Sequence, residues 1–246
     1  MKNFLSVIVI TKNEEENLSR CLSSVGGLAD EVVVVDSGST DKTLEIATRF
    51  GAKIYKRHFD NYSNQRNFAI SKTTGEWVLS MDADEEISDG LALEIKQVVK
   101  SQGADGYLIP RINIIFGAEI KHSRWSPDKH IWLFRKSRGK FRNLIHEEVD
   151  VNGRVEELKG AKIHHSHKSV FEFVAMTNKY TDIEAREILK NGYNFSFMKL
   201  LYLPLRSFFG RFILKQGFRD GWRGFVLSYL RAVYQFIVWV KVWEKS

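Results

Sequence analysis

Three short polar segments, each directly after an apolar run, carry the residue types that could do chemistry in this 246-residue chain. Thr11-Lys12-Asn13-Glu14 follows Leu5–Ile10, Asp36-Ser37-Gly38-Ser39-Thr40-Asp41 follows Val32–Val35, and Asp82-Ala83-Asp84-Glu85-Glu86 follows Glu76–Met81. Carboxylates gathered in this way bind a diphosphate poorly unless a divalent cation lies between them. Mg²⁺ or Mn²⁺ suits the case: it prefers hard oxygen ligands, takes one or two carboxylates and fills its octahedron with phosphates and water. In an extended Asp82-Ala83-Asp84, one carboxylate can meet the metal and the other a ribose hydroxyl. A turn with a helix-capping acid accounts for the same three residues, and an Asx-type turn running into an N-cap accounts for Asp36–Asp41. Asp36 is also placed to accept from a ribose or a base N–H. The chain has no G-x-x-x-x-G-K-[ST] and no G-x-G-x-x-G after its first apolar run, which removes support for P-loop hydrolysis and ordinary dinucleotide binding.

The apolar runs are the elements that must hold these segments. Leu5–Ile10 is continuous and β-branched, as in a strand buried on both faces of a parallel sheet. Leu18, Cys21, Leu22 and Val25 fall at i, i+3, i+4 and i+7, one face of a helix. Val32–Val35 then reads as a second strand, and the spacing predicts a right-handed crossover between the two. The pattern repeats: a helix N-capped by Ser39 or Thr40 and ended at Gly51, a strand at Lys53–Tyr55, a helix at Asn64–Ser71, a strand at Glu76–Met81 and a helix at Leu91–Val99. Tyr107–Phe116 and Ile131–Arg135 also look strand-like. An α/β sheet is expected, with ligands outside the C-terminal ends of its strands, where the three polar segments lie.

Composition argues for a folded chain with an unusual end. Hydrophobic residues make up 43% and charged residues 27%, with three prolines, values that exclude a disordered or low-complexity chain. The lone Cys21 allows no intramolecular disulfide and fits a reducing compartment. The first residues carry no signal-peptide cleavage pattern. All of the +7 net charge lies in residues 197–246, which also hold 13 of the 31 aromatic residues. A boundary near residue 196 is therefore expected.

Read in order, SVIVITKNEEENL (6–18), VVVVDSGSTDKT (32–43), NQRNFAI (64–70) and GEWVLSMDADE (75–85) resemble the nucleotide-sugar-binding half of family 2 glycosyltransferases. HSRWSPD (122–128), LFRK (133–136), LIHEEV (144–149), HHSHKS (164–169), KYTDIEA (179–185) and KQGFRDGWRGF (215–225) are similar to the lipopolysaccharide-core β-glucosyltransferase subgroup. The resemblance implies a GT-A fold, a Rossmann-like mixed sheet, over residues 1–196, followed by an amphipathic helical region over 197–246. It implies that Thr11 and Glu14 line a nucleoside pocket, that Asp36 holds the uracil or its ribose, and that Arg66 contacts base or diphosphate. Asp82 is assigned to ribose or metal and Asp84 to the metal. An inverting transfer needs a base for the acceptor hydroxyl, and the resemblance gives that role to Glu147, with Glu148 in reserve. If this segment is extended, the two face opposite sides. His146 is a candidate third metal ligand, with a structural histidine as the alternative. Trp125 and Asp128 fall in the subgroup's acceptor-side loop, although Trp125 also suits a core. His164, His165 and His167 lack the cysteines and spacing of a zinc site. One departure stands out: similar sequences read Arg-Leu-Phe-Arg where this chain has Trp132-Leu133-Phe134-Arg135, which removes a positive charge.

In the last 50 residues Arg206, Arg211, Lys215, Arg219 and Arg223 alternate with Phe208, Phe209, Phe212, Phe218 and Trp222. That pattern fits helices lying in an anionic bilayer interface, and the resemblance then implies a UDP-sugar donor and a glycolipid acceptor at the inner face of the cytoplasmic membrane. The apolar run Phe225–Val240 falls short of the roughly 20 residues a spanning helix needs. Packing as an ordinary helical subdomain competes with the interface reading. Nucleic acid is not expected, because the apolar residues are too numerous for a solvated basic face. A same-fold polyprenyl-phosphate glycosyltransferase, a nucleotidyltransferase and a non-enzymatic adaptor are the remaining readings.

Overall fold

The computed structural model describes residues 4–101, 103–142 and 148–246, and the chain divides into two compact units. The first comprises the residues up to Ile112 together with Asp128–His164; the second comprises Asn113–Pro127 and His165–Ser246.

In the first unit, β1 (Leu5–Thr11), α1 (Leu18–Val25), β2 (Glu31–Asp36), α2 (Thr43–Arg49), β3 (Lys53–Lys56), α3 (Tyr62–Lys72) and β4 (Trp77–Asp82) alternate as the sequence predicts. β5 (Glu85–Ile87) and α4 (Asp89–Val98) follow, then β6 (Gly106–Ile115) and β8 (Lys129–Arg135), with the short β7 (Ala118–Ile120) between them in sequence belonging to the second unit. β9 (Gly139–Arg142) and β10 (Glu148–Val151) form a separate two-stranded antiparallel sheet. β11 (Val155–Glu157) and β12 (Lys162–His165) complete the strands. The main sheet runs β3-β2-β1-β4-β8-β6-β12-β5, with β1 to β4 parallel and β8 antiparallel to both β4 and β6. The chain leaves β1 toward β2 on one side and reaches β4 on the other, so the sheet order reverses between β1 and β4. Such a reversal opens a crevice at the strands' C-terminal ends.

The packing follows the sequence pattern. Leu18, Cys21, Leu22 and Val25 are buried, joining Val7, Val9, Leu79 and Met81 in one core layer. Ile8, Val33, Val35 and Val78 point to the opposite face, where they meet Ala69, Phe134 and Phe141. Each fully buried aliphatic side chain contributes about 1.5–3 kcal/mol. α3 begins where Asn61 accepts a hydrogen bond from the Asn64 backbone N–H. α2 differs from expectation: it begins at Thr43, and neither Ser39 nor Thr40 caps it. Both residues are instead bonded to Asn13.

The second unit contains α5 (Val170–Lys190), α6 (Phe197–Phe209), a π-helical turn (Gly210–Leu214), a 3₁₀ turn (Gly217–Asp220) and α7 (Gly221–Lys245). Ala185 of α5 packs with Tyr234, Val238, Trp239 and Val242 of α7, and Leu200 and Leu203 of α6 join this cluster. The compositional boundary near residue 196 thus falls inside this unit, because charge and aromatic content change there while the packing of α5 on α7 continues across it. The length expected for the last apolar run is also corrected. α7 extends it to 25 residues through Gly221–Gly224 and Lys241–Lys245, and it is long and apolar enough to cross a membrane by length and composition alone.

Candidate active site

The strand register sets three loops side by side, with Thr11 opposite Asp36 and Ile10 opposite Asp82. The first two loops are then joined by paired hydrogen bonds. Asn13 donates its N–H to Ser39 Oγ (2.8 Å) and accepts from the Thr40 N–H at Oδ1 (2.8 Å). Glu14 N–H donates to Thr43 Oγ1 (2.8 Å), and Glu15 accepts from the Lys42 N–H (3.0 Å). Asp36 is fully buried and accepts from the backbone N–H groups of Gly38 (2.9 Å) and Ser39 (3.0 Å) and from the Ser39 hydroxyl. Its Asx-type turn is real, and since a carboxylate offers about four acceptor positions, one remains beyond these three donors. Thr11 Oγ1 is buried with no hydrogen-bond partner among the described residues. A buried hydroxyl in that condition costs about 1–3 kcal/mol unless a ligand or water satisfies it. Glu14 accepts from Asn17 Nδ2 at 2.8 Å.

At the end of β4 the acids meet buried cations. Asp82 Oδ1 accepts from Arg66 Nη2 at 2.6 Å, while Arg66 Nη1 donates to Ser80 Oγ at 2.9 Å. Arg66 is only 2% exposed. Burial alone would raise the Asp82 carboxyl, but Arg66 and Lys162 outweigh it and hold the group well below the usual carboxylate range. Glu85 and Lys162 are both fully buried and ion-paired. Glu85 also accepts from the Asp82 N–H (2.9 Å), and Lys162 Nζ donates to the Ser80 carbonyl (3.0 Å). Burial lowers the Lys162 ammonium against the raising fields of Glu85 and Asp82. Arg111 lies 3.5 Å from Glu85 and donates through Nε to Asp128 (2.7 Å), which also faces His130 at 2.8 Å. Asp128 therefore belongs to this charge network. The Trp132 indole has Lys162 Nζ 3.9 Å above its ring and the Arg66 guanidinium 5.6 Å away. An arginine here would add a third cation to two buried ones; the indole attracts both through its π face.

Asp84 is the exception among these acids. Its partner is His164 Nε2 at 3.2 Å, brought into place by the antiparallel pairing of β12 with β5. Burial would lower the His164 imidazole, but Asp84 more than offsets it and raises it. Among the described residues, Asp82, Glu85 and Asp128 thus pair with the permanent cations Arg66, Arg111 and Lys162, whereas Asp84 pairs with a histidine. Among the described residues no group of three or more His, Cys, Asp or Glu side chains forms a ready-made metal cage. A Mg²⁺ or Mn²⁺ ion takes one or two protein carboxylates and completes its octahedron with phosphates and water. Asp84, with His164 beside it and Asp82 close in sequence, would hold it.

The other expected residues are distributed differently. His146 and Glu147 lie outside the described residues. Glu148 is exposed at the start of β10, opposite Arg142, and shares the outward face with Asp150 while Val149 points into the core. Trp125 belongs to the second unit, where it packs against Ile115, Ile120, Phe173 and Leu227. Glu85, Lys162 and Arg111 were not singled out by sequence reasoning, and nothing in their spacing links positions 85, 111 and 162. A cavity of about 410 Å³ lined by Glu76, Asp105, Arg135 and Arg138 lies at the other end of β4 from Asp82.

The sequence matches the Glycosyl transferase family 2 profile over residues 6–153. An uncharacterized glycosyltransferase of Rickettsia typhi is 34% identical over 255 residues, covering 98% of this chain and 87% of that relative. The lipopolysaccharide core biosynthesis glycosyltransferase LpsC of Rhizobium meliloti is 26% identical, covering 98% and 92%. Among solved structures, S. aureus TarS 1-349 in complex with UDP aligns with a TM-score of 0.50 at 19% identity, over 99% of this chain and 90% of that one, a likeness of fold.

The Glu85–Lys162 pair gives a direct test. Lys162→Met leaves Glu85 as a buried carboxylate without its ammonium and is expected to cost about 3–5 kcal/mol, whereas Glu85→Gln with Lys162→Met removes both charges and regains most of that loss. Urea unfolding of the three proteins measures it; equal stability of Lys162→Met and wild type would contradict the pairing.

Proposed function

The chain belongs to glycosyl transferase family 2, and from that premise we propose that it moves a hexose, glucose being the expected one, from a UDP-sugar to a lipopolysaccharide-core or similar glycolipid with inversion at the anomeric carbon. The observation that carries this reading is the meeting of the three loops at the β1–β4 reversal, with one carboxylate, Asp84, paired among the described residues with His164 and with no lysine or arginine. The UDP bound in the TarS structure and the name of the Rhizobium relative support the donor and acceptor classes.

In this reading Thr11 and Glu14 line the nucleoside pocket, Asp36 accepts from the uracil or ribose through its remaining acceptor position, and Asp82 receives a ribose hydroxyl while Arg66 keeps it ionised. A divalent cation, when bound at Asp84, neutralises the negative charge that grows on the departing diphosphate. Glu147 removes the proton of the acceptor hydroxyl as its oxygen bonds to the anomeric carbon and UDP leaves; Glu148 is the reserve base, and His146 a further candidate ligand. With UDP-glucose and a lipid-core acceptor, the products are glycosylated lipid and free UDP. Pyrophosphate release would instead mark a nucleotidyltransferase, and a sugar-linked polyprenyl phosphate would redefine the acceptor. Glu147→Gln is expected to slow transfer about 10²–10⁴-fold while UDP still binds. A fully active variant moves the role to Glu148 or elsewhere.

The second unit supports a membrane-surface acceptor. Phe197, Met198, Leu201, Tyr202, Leu205 and Phe209 form a continuous face of α6 that is 50–74% exposed, and α6 has no buried residue. Leu214, Phe218 and Trp222 continue the exposed apolar surface beside exposed Arg206, Lys215 and Arg219. Apolar residues bordered by cations suit the interface of an anionic bilayer. In contrast, α7 buries Leu227, Ala232, Val238 and Val242 within its own unit, which favours peripheral attachment over spanning. The full chain should float with vesicles containing anionic lipid, and Leu205→Ser with Phe209→Ser should weaken flotation. Failure of the intact protein to float would remove the membrane from this account.

A further inference from the structure

Two strings widely separated in sequence, HSRW at 122–125 and KQGFRDGWRGF at 215–225, meet in the second unit. Asp220 is the N-cap residue of α7, a position where an aspartate normally accepts from the helix's own first N–H groups. Here its side chain makes no such bond. Its carboxylate is turned to the other string, accepting from the Lys121 N–H (3.1 Å), the His122 N–H (2.9 Å) and facing His122 Nδ1 (2.9 Å), and only 6% of it is exposed.

The next residue is held from other directions. Arg211 Nη1 donates to the Ser123 carbonyl at 2.6 Å, and the Ser123 N–H donates to the Lys215 carbonyl at 3.0 Å. The Ser123 hydroxyl lies 3.3 Å from Ser228 Oγ. Burial, together with the like charges of Arg231 and Arg124, pushes the Arg211 guanidinium down to about 10, so the cation is kept at this place against an electrostatic cost. Close approach also explains the glycines. A Cβ on Gly217 would overlap Ser123 Oγ, and one on Gly224 would overlap the Gly217 carbonyl.

What these contacts hold is a strained conformation. Ser123 and Arg124 have φ values of 60° and 66°, two consecutive non-glycine residues in the left-handed region, where each costs on the order of 1–3 kcal/mol and persists only if its surroundings over-determine it. We propose that Asp220, with Arg211, is a positioning residue that clamps the Lys121–Trp125 loop in its left-handed form, so that the basic C-terminal segment shapes the acceptor side of the enzyme as well as meeting the membrane. The proposal rests on the reading that this loop faces the acceptor. Trp125 follows the strained pair directly, and release of the loop would change where its indole lies.

The test uses the full-length protein and Asp220→Asn, which keeps size and removes the charge. Amide hydrogen exchange at Lys121, His122 and Ser123 should quicken, while UDP affinity by calorimetry stays at the wild-type value. kcat/KM for the glycolipid acceptor should fall roughly ten- to a hundredfold, the scale of a small misplacement. Arg211→Met, which removes the Ser123 donor from another direction, should produce the same pattern. Unchanged exchange at these amides in both variants would overturn the clamp. Faster exchange with unchanged acceptor kinetics would overturn its positioning role and the acceptor assignment of the loop. The exchange measurement decides the clamp even for a protein that transfers no sugar.

Discussion

The end of β4 gathers more negative charge than a folded protein tolerates without compensation, and the fold around it is arranged to supply that compensation. Glu85 is completely buried, and an unpaired carboxylate at such a place would be protonated or would unfold its surroundings. Lys162 prevents both, but only because β12 lies antiparallel to β5. The same strand delivers His164 to Asp84 two residues later. Glu85 in turn accepts the Asp82 N–H, so the turn carrying Asp82 and Asp84 is fixed by the pair that neutralises its neighbour. Arg66 completes the set from α3, bonding Ser80 and Asp82 beneath the Trp132 and Phe141 rings. These charges are therefore fixed by one another before any ligand arrives.

The parallel half of this arrangement was legible in the sequence because local pattern and tertiary placement agree there. The run Leu5–Ile10 and the periodic Leu18, Cys21, Leu22 and Val25 each specify one element, and the polar segments fall at strand ends because strands must end where polarity returns. Asp82 and Asp84 could be singled out as candidates for the same reason. Lys162 and Arg111 could not, since a buried lysine looks like any other lysine until the strand beside it is known. Ser39 and Thr40 were read as helix caps because their residue types allow it; the competing partner, Asn13, lies more than twenty residues earlier in the chain. Trp132 read as a lost charge, whereas its ring provides the surface on which two existing cations rest.

In the second unit composition and packing give different answers about the same residues. The rise in basic and aromatic content after residue 196 coincides with an exposed amphipathic surface, for α6 has no fully buried residue and only Leu200 and Leu203 pack on the α5–α7 cluster. It does not mark a separable appendage. α7 packs on α5 and ties to it through Tyr234 donating to Glu184 and Lys241 donating to Asn178, contacts between positions about 50 and 63 apart that no local pattern announces. A chain cut near residue 196 would lose part of a core along with the exposed apolar surface of α6, so substitutions on the exposed face test that surface better than truncation does.

The central claim is that the carboxylate at Asp84 makes nucleotide binding depend on a divalent cation. Calorimetric titration of the full-length protein with UDP, with and without Mn²⁺, for wild type and Asp84→Ala, tests it before any acceptor is known. The account predicts tight binding by wild type only with Mn²⁺, and loss of that enhancement in Asp84→Ala. UDP affinity that is the same with and without Mn²⁺, or is unaffected by the substitution, would contradict it.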